Sequence, residues 1–168
     1  MLLVPTGRAS HKQIADDPGM ATRLEMAGIA AAGNDLLEVD RVEIDAAAAD
    51  GRPSYTADTL AALHRRADEE LFLLMGADVA AHLEEWHEPE RVLELARLGI
   101  AARPGVALDE VEAALDRLGA AERAAVIRMP ELDVSSTRIR RRVAQGRPVR
   151  YLVPDGVLEL IEAEGLYS

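Results

Sequence analysis

Residues 71–78 read Leu-Phe-Leu-Leu-Met-Gly-Ala-Asp, and this stretch decides the fold class. Five consecutive apolar residues ended by a glycine are typical of a strand that is buried on both faces of a parallel sheet. The Gly-Ala-Asp that follows would place a small residue and a carboxylate at the carboxyl end of that strand. Ligands of open parallel sheets bind at this end. We therefore predict an α/β protein with a ligand site where this strand ends.

Outward from this stretch, short apolar runs alternate with helical patterns along the chain. We predict strands at 2–4, 36–44, 70–75, 98–102 and 125–129, helices at 18–33, 56–66, 89–96, 108–118, 137–145 and 154–164, and a surface loop at 45–52. Such alternation gives right-handed βαβ units and a parallel sheet. Because no linker or internal repeat interrupts the pattern, we predict one domain over residues 1–168.

The composition excludes several classes of protein. Thirty acidic against 19 basic residues give a formal net charge of −11, which disfavours DNA or RNA as the main partner because phosphate contacts dominate that affinity. The absence of cysteine excludes disulfides and thiolate metal sites and is compatible with a reducing cytoplasm. His64, His82 and His87 have no spacing that indicates a metal site. No apolar run is long enough for a signal peptide or a membrane span, so we expect a cytoplasmic protein with a small-molecule ligand.

Residues 134–140, Val-Ser-Ser-Thr-Arg-Ile-Arg, contrast with this acidic background. Hydroxyl residues that open a helix leave its first amides pointing at an anion, and arginine adds planar forks of positive charge. The arginines in and just after this run are Arg138, Arg140, Arg141, Arg142, Arg147 and Arg150. Because the apolar Ile139 must point inward, Arg140 is the best candidate for a phosphate ligand. A capped helix with surface arginines would explain the same residues.

Four other segments each have a functional and a structural interpretation. Asp78 could accept hydroxyl groups of a ribose, or Gly76 and Asp78 could form only a turn and a helix cap. Residues 53–56, Pro-Ser-Tyr-Thr, could line a pocket or cap a helix. Trp86, the only tryptophan, could stack on a heterocycle or anchor the core. Lys12 could neutralise a phosphate or lie in a solvated loop.

Taken in order, these segments resemble those of bacterial nicotinate-nucleotide adenylyltransferases, members of the nucleotidyltransferase superfamily. The matching pieces are Val-Pro-Thr-Gly-Arg at 4–8 with His11 and Lys12, residues 53–60, 76–78, Trp86, 103–105, 134–140 and 151–167. Their order and spacing extend over essentially the whole chain. The resemblance implies a doubly wound, Rossmann-like parallel sheet. It also implies transfer of an adenylyl group from Mg²⁺-bound ATP to nicotinate mononucleotide, which gives deamido-NAD and pyrophosphate.

The resemblance also implies which residues contact the two substrates. Those implied for ATP and its phosphates are Lys12, Gly76, Asp78, Arg103, Ser135, Ser136, Thr137 and Arg140. Those implied for nicotinate mononucleotide are Tyr55, Thr56 and Trp86. No side-chain nucleophile is required, because the phosphate of the mononucleotide attacks the α-phosphorus directly while the protein supplies position and charge.

The chain departs from the family pattern at its beginning. The family carries a Gly-rich loop and an H-x-G-H signature on a first, central strand and first helix, whereas this chain contains no Gly-His dipeptide and begins at the next segment. We therefore expect a sheet without that strand and helix, no catalytic histidines, and a rate lowered on the order of 10²–10³-fold per lost interaction. A misplaced start codon or a truncated gene product would explain this. A stop codon directly before Met1, with no Gly-x-Gly-His segment upstream, would refute it.

Two other functions stay open at this point. The chain could be a non-catalytic nucleotide-binding protein, or an adenylyltransferase for a related mononucleotide, nicotinamide mononucleotide, or for another small phosphate such as phosphopantetheine. Residues 53–56 and Trp86 favour a nicotinate pocket over phosphopantetheine. The residues do not decide between the acid and the amide mononucleotide, and they leave the oligomeric state open, a homo-oligomer included.

Overall fold

A computed structural model of the chain describes residues 1–9, 16–67, 69–102, 108–130, 132 and 134–168. The elements are β1 (Leu2–Leu3), α1 (Met20–Ala31), β2 (Glu38–Val39), α2 (Val42–Asp50), α3 (Thr56–His64), β3 (Leu71–Gly76), α4 (Ala77–Ala80), α5 (Pro89–Leu95), β4 (Ala96–Ala102), α6 (Asp109–Arg117), β5 (Ala124–Arg128), α7 (Ser136–Ala144) and α8 (Asp155–Ala163), with 3₁₀ turns at Leu83–Glu85 and Ala121–Arg123. They form two compact units. The first unit comprises Met1–Ser54 and Asp133–Ser168, and the second comprises Tyr55–Leu132.

Within its described residues, the first unit contains a parallel pair of short strands and four helices. β1 pairs with β2, and α1 packs against both β2 and α8. Gly156 permits the close approach of α8 to α1, since a Cβ there would lie 2.7 Å from Ile29 Cγ2. Ile139 of α7, Leu158 of α8 and Val149, which lies between the two helices, form one buried apolar core cluster of this unit. This core fixes the start of α7 against α8.

The second unit contains the parallel sheet β3-β4-β5, with β4 in the middle. One face of the sheet is buried, where Met75 of β3 and Leu98 and Ile100 of β4 pack with Leu83 and with Val111 of α6. A second apolar cluster joins α3 to α5 and to the start of β4. Because all three strands are parallel, their carboxyl ends lie at one edge of this sheet.

The other face of the same sheet is exposed, which corrects the prediction of a strand buried on both faces. Phe72 and Leu74 alternate with the core-facing residues of β3 and remain 58% and 52% exposed, and Ile127 of β5 is 44% exposed. Successive side chains of a strand point to opposite faces. In the part of the chain that the structure describes, the covering helices leave these side chains open, so an apolar run does not by itself establish burial on both sides.

The predicted strand at 36–44 is right only at β2, and its last three residues belong to α2 instead. The predicted loop at 45–52 is wrong, because residues 45–50 continue the same helix. An Asp40 carboxylate oxygen accepts a hydrogen bond from the first amide of α2 at 2.8 Å. Four consecutive alanines at 46–49 have the highest helix propensity. Gly51, with φ of 68°, ends the helix in the left-handed conformation. Helix propensity and capping therefore outweigh the alternating apolar residues.

Every other predicted helix and strand is confirmed to within two residues at each end. The α/β class and the parallel pairing of the strands are also confirmed. The single domain over 1–168 and the missing central strand stay predictions.

Candidate functional site

The start of α7 is a capped helix end. Ser135 has an extended backbone, and its Oγ accepts a hydrogen bond from the amide of Arg138 at 3.3 Å. The structural interpretation of Ser135 as a cap is thereby confirmed. Ser136 and Thr137 follow as the first two helical residues and are exposed. The first amides of a helix have no partner within it, so this end can also receive an anion.

Arg140 lies half-buried one turn into α7, and its guanidinium donates to Thr137 Oγ1 at 3.5 Å. Its charge reaches two other segments of the first unit. Burial tends to raise the pKa of Asp17, but hydrogen bonds from a backbone amide and from Arg23, with the charges of Arg23 and Arg140, hold the pKa below its ordinary value. Burial raises the pKa of Tyr167, while the charge of Arg140 opposes the rise. The residues just before α1 and the C-terminal residues therefore lie within electrostatic reach of Arg140.

The loop after β1 is held by an arginine of α1. The Arg23 guanidinium donates to the Thr6 carbonyl from Nε and Nη2 at 3.2 and 2.9 Å, and from Nη2 to the Gly7 carbonyl at 2.8 Å. Its Nη1 pairs with the Asp17 carboxylate. Only 20% of the Arg23 side chain is exposed. One guanidinium thus fixes two consecutive carbonyl groups of the loop.

The opposite side of this loop is fixed by α2 and by the residues that follow it. The Gly7 amide donates to Glu43 Oε2 at 3.3 Å, and a Cβ on Gly7 would lie 2.9 Å from Ala47 Cβ. The Arg8 amide donates to Ser54 Oγ at 3.2 Å, and the Ser54 amide donates to the Arg8 carbonyl at 2.8 Å. Contacts from both sides therefore restrain residues 6–8.

The end of β3 brings a carboxylate close to a glycine. Gly76 ends β3 and precedes α4, and the exposed Asp78 lies in the first turn of that helix. The Asp78 carboxylate folds back over Gly76, so a Cβ at that position would collide with Oδ1. Glycine permits this close approach, whereas a larger residue would make the exposed Asp78 side chain turn away. This geometry is compatible with both the cap and the ribose-binding interpretation of Asp78.

Two aromatic rings meet at the start of α3. The Tyr55 and His87 rings have centroids 4.2 Å apart and are tilted by 35°. Trp86, next to His87, is half-buried and packs against both apolar clusters of the second unit. The structural interpretation of Trp86 as a packing anchor is therefore confirmed. Thr56 is the first residue of α3, so its amide belongs to a helix end.

Two kinds of feature are absent from the described ranges. No group of three or more histidine, aspartate or glutamate side chains among these residues could hold a metal ion. No helix within the same ranges is long and apolar enough to cross a membrane.

Comparisons with known proteins identify the family. Residues 1–142 match the model of the cytidylyltransferase-like family. The probable nicotinate-nucleotide adenylyltransferase of Roseiflexus sp. (strain RS-1) is 44% identical over 167 residues, which cover 99% of this chain and 82% of that protein. The chain belongs to the nicotinate-nucleotide adenylyltransferase family. The probable nicotinate-nucleotide adenylyltransferase of Rubrobacter xylanophilus is 40% identical over 169 residues, which cover 99% of this chain and 77% of that relative.

A solved structure shows the same fold at low identity. The nicotinic acid mononucleotide adenylyltransferase of Plasmodium falciparum, complexed with NaAD, aligns with a TM-score of 0.75 and 16% identity. The alignment covers 99% of this chain and 81% of that chain. The nucleotidyltransferase fold that we predicted for this chain is therefore confirmed.

The predicted substrate-binding residues of this chain fall into three groups. Lys12 and Arg103 lie outside the described residues. The first unit contains Ser135, Ser136, Thr137 and Arg140, and the second contains Tyr55, Thr56, Gly76, Asp78 and Trp86. The structure brings together the members of the α7 turn, and Gly76 with Asp78. That all of these side chains share one edge stays a prediction.

Sequence reasoning missed two residues that shape these segments, Arg23 and His87. Arg23 had a usable signal, because it occupies the apolar face of the predicted helix, three residues after Met20 and four before Ala27. A charged residue at such a position needs a specific partner. His87 had a weaker signal, since it is only the neighbour of Trp86.

Proposed function

We propose that this chain transfers the adenylyl group of ATP to nicotinate mononucleotide, forming deamido-NAD and releasing pyrophosphate. The observation that carries the proposal is the 44% identity along 99% of the chain to a curated relative named for this activity. The capped start of α7 supports it, since Arg140 and the first amides of the helix offer positive charge to a polyphosphate.

The proposed reaction exchanges one bond at the α-phosphorus of ATP. A phosphate oxygen of the mononucleotide attacks that phosphorus, and the bond to the oxygen bridging to the β-phosphorus breaks, so pyrophosphate leaves. The chain contributes position and charge: Ser136, Thr137 and Arg140 would hold the phosphates, with Lys12 and Arg103 assigned the same role.

A divalent ion belongs to the substrate in this proposal. The described residues offer no cluster of side chains that would hold a metal on the protein alone. Mg²⁺ binds phosphate oxygens readily and keeps several waters when few protein ligands are present. We therefore place Mg²⁺ on the ATP phosphates. There it would neutralise negative charge on the same phosphates that Arg140 is proposed to hold.

The mononucleotide would bind at the start of α3. The Tyr55 and His87 rings, which are in contact and tilted by 35°, offer aromatic faces on which a pyridine ring could pack. Thr56 opens α3, and an anion such as the nicotinate carboxylate is favoured near a helix N-terminus. Trp86 fixes this surface through its packing in the core. Asp78 would accept the ribose hydroxyls of the adenosine.

A cytoplasmic location is part of the proposal. A chain with no cysteine is compatible with a reducing compartment. We place the reaction in the cytoplasm on this basis.

The test is formation of deamido-NAD, measured by mass spectrometry after incubation with ATP, Mg²⁺ and nicotinate mononucleotide. We expect product only when both substrates are present. Arg140→Ala should lower the rate on the order of 10²-fold, because it removes a charge that stabilises the transferring phosphates. Arg141→Ala, an exposed neighbour on the same helix, is the matched control and should retain most of the rate.

Two outcomes would contradict the proposal. If calorimetry shows ATP binding but no dinucleotide forms under any condition, the chain is a nucleotide-binding protein without transferase activity. If nicotinamide mononucleotide reacts faster than the nicotinate form, the substrate assignment is wrong while adenylyl transfer stands.

A further inference from the structure

His87 lies against the start of α3 in the second unit, where the centroid of its ring is 4.2 Å from that of Tyr55. The side chain is exposed. Its imidazole nitrogens have no hydrogen-bond partner among the residues that the structure describes. By contrast, Nδ1 of the nearby His82 is paired with Glu85 Oε1 at 3.1 Å. The ring nitrogens of His87 are therefore available to a ligand.

The backbone on both sides of His87 is held in place. Before it, the half-buried indole of Trp86 packs against both apolar clusters of the second unit, and the Trp86 amide donates to the Leu83 carbonyl at 3.1 Å. After it, Glu88 precedes α5, and its carbonyl accepts a hydrogen bond from the Val92 amide at 3.1 Å. The imidazole therefore needs little further ordering to meet a ligand at the start of α3.

The charged groups around His87 leave its own hydrogen bonds unused. Glu88 accepts a hydrogen bond from Arg91 at 2.9 Å, and this bond, with the charges of Arg91 and His87, holds the pKa of Glu88 below its ordinary value. Asp58, in the first turn of α3, also interacts with the charge of Arg91. The other charged residues of 84–94 are Glu84, paired with Arg117, Glu85, paired with His82, and the exposed Glu90 and Glu94. Arg91 is thus directed at a carboxylate of the protein, whereas His87 is not.

The two candidate mononucleotides differ in one group on the pyridine ring. The carboxylate of nicotinate has only acceptor oxygens, whereas the carboxamide of nicotinamide has an acceptor oxygen and an NH₂ donor. A protonated imidazole has two N–H donors and no acceptor. The first amides of α3 are donors as well, and no side chain caps them. A carboxylate between these donors satisfies both, but a carboxamide leaves its NH₂ facing a donor.

We propose that His87 selects nicotinate mononucleotide over nicotinamide mononucleotide. This inference rests on the proposed function, which places the mononucleotide at the start of α3. The imidazole donates a charge-assisted hydrogen bond to a carboxylate oxygen while the pyridine ring packs beside Tyr55. The carboxylate itself favours the protonated imidazole, because an opposite charge within about 4–6 Å stabilises the charged form. Selection therefore combines an attraction to the acid with an unfavourable contact to the amide.

The test is calorimetric titration of each mononucleotide into the full chain, a readout that does not depend on catalysis. We expect the nicotinate form to have the lower Kd. His87→Phe keeps an aromatic ring beside Tyr55 without an N–H group, and should reduce this preference roughly tenfold or more, the equivalent of one charge-assisted hydrogen bond. His87→Arg restores a planar cation and should recover most of the preference. His82→Gln, the matched control, should change the preference by less than about twofold.

The pH dependence of the same ratio separates charge from packing. Histidine is the side chain that ordinarily changes its charge between about pH 5 and pH 8. We expect the preference for nicotinate to be larger at about pH 6 than at about pH 8.5 in the unaltered chain, and to lose this dependence in His87→Phe. The phosphate group is common to both mononucleotides, so its own titration cancels in the ratio.

Three results would overturn the inference. His87→Phe could leave the ratio of the two Kd values unchanged, even if both affinities fall, which would reduce His87 to a packing partner of Tyr55. The unaltered chain could bind the two mononucleotides equally well, or it could bind neither. Failure of the proposed reaction would appear separately, as absent deamido-NAD from a chain that still distinguishes the two mononucleotides.

Discussion

Replacing Arg23 by alanine should loosen the loop after β1 and weaken the proposed phosphate site. Arg23 makes three hydrogen bonds of 2.8–3.2 Å to the carbonyl groups of Thr6 and Gly7 and pairs with Asp17. This loop leads into the segment that contains Lys12, a predicted phosphate ligand. Arg23 touches neither substrate in this account, so it is a positioning residue.

The cost follows from the lost contacts. A hydrogen bond to a charged group contributes about 1.5–3 kcal/mol, and an unpaired carbonyl adds a desolvation penalty where water cannot replace the donor. The Arg23 side chain is 20% exposed, so water can replace part of what is lost. We expect Arg23→Ala to lower the free energy of unfolding by about 2–4 kcal/mol. Arg23→Lys should lose less, because an ammonium group can still bind one carbonyl.

Urea denaturation measures the free energy of unfolding, and the KM for ATP measures how far loosening the loop weakens the proposed phosphate site. Arg41→Ala is the control, since Arg41 forms an ion pair with Asp45 at 3.1 Å while 63% exposed, and such pairs contribute less than about 1 kcal/mol. We expect the KM for ATP to rise in Arg23→Ala under conditions in which the variant is still folded. If Arg23→Ala costs no more stability than Arg41→Ala and leaves KM unchanged, the anchoring role is refuted.

Three further predictions concern stability, and urea unfolding measures each of them. Ser135→Ala removes the side-chain cap of α7 and should cost about 1 kcal/mol, with Ser135→Thr restoring most of it; an unchanged midpoint would contradict the cap. The pKa of Asp17 is lowered in the folded state, so its stabilising effect is present above the unfolded pKa near 3.8 and is lost as the pH falls through the folded pKa. Asp17→Asn should therefore reduce the loss of unfolding free energy as the pH is lowered. An unchanged pH dependence would argue against the Arg23–Asp17 pair. Leu98→Ala should cost about 2–5 kcal/mol, whereas Phe72→Ala, at a side chain 58% exposed, should cost less than about 1 kcal/mol. Equal costs would mean that the open face of β3 is covered in solution.

Much of the fold could be predicted because local signals agreed with the tertiary structure. Apolar runs ended by Gly or Pro marked β3 and β4, and the serines at 135–136 marked the start of α7. The failure at α2 has a physical cause. Val42 and Ile44 have strand spacing, but the four alanines that follow favour a helix, and both residues are buried from helical positions.

The remaining features depend on contacts between distant segments. The apolar run of β3 predicts a strand but carries no information about what covers its second face. Arg23 could be recognised as a charge on an apolar helix face, yet nothing in its neighbourhood indicates the carbonyl groups of Thr6 and Gly7 as its partners. The Tyr55–His87 contact likewise arises only when α3 and the residues before α5 fold together.

The most direct test of the proposed reaction follows the phosphorus atoms of ATP. The chain is incubated with nicotinate mononucleotide and Mg²⁺, once with ATP labelled at the α-phosphorus and once with ATP labelled at the γ-phosphorus. Adenylyl transfer predicts that the α-label appears in deamido-NAD and the γ-label in pyrophosphate, both only when the mononucleotide is present. Release of the γ-label as inorganic phosphate, or α-label that never enters a dinucleotide although ATP is bound, would contradict it.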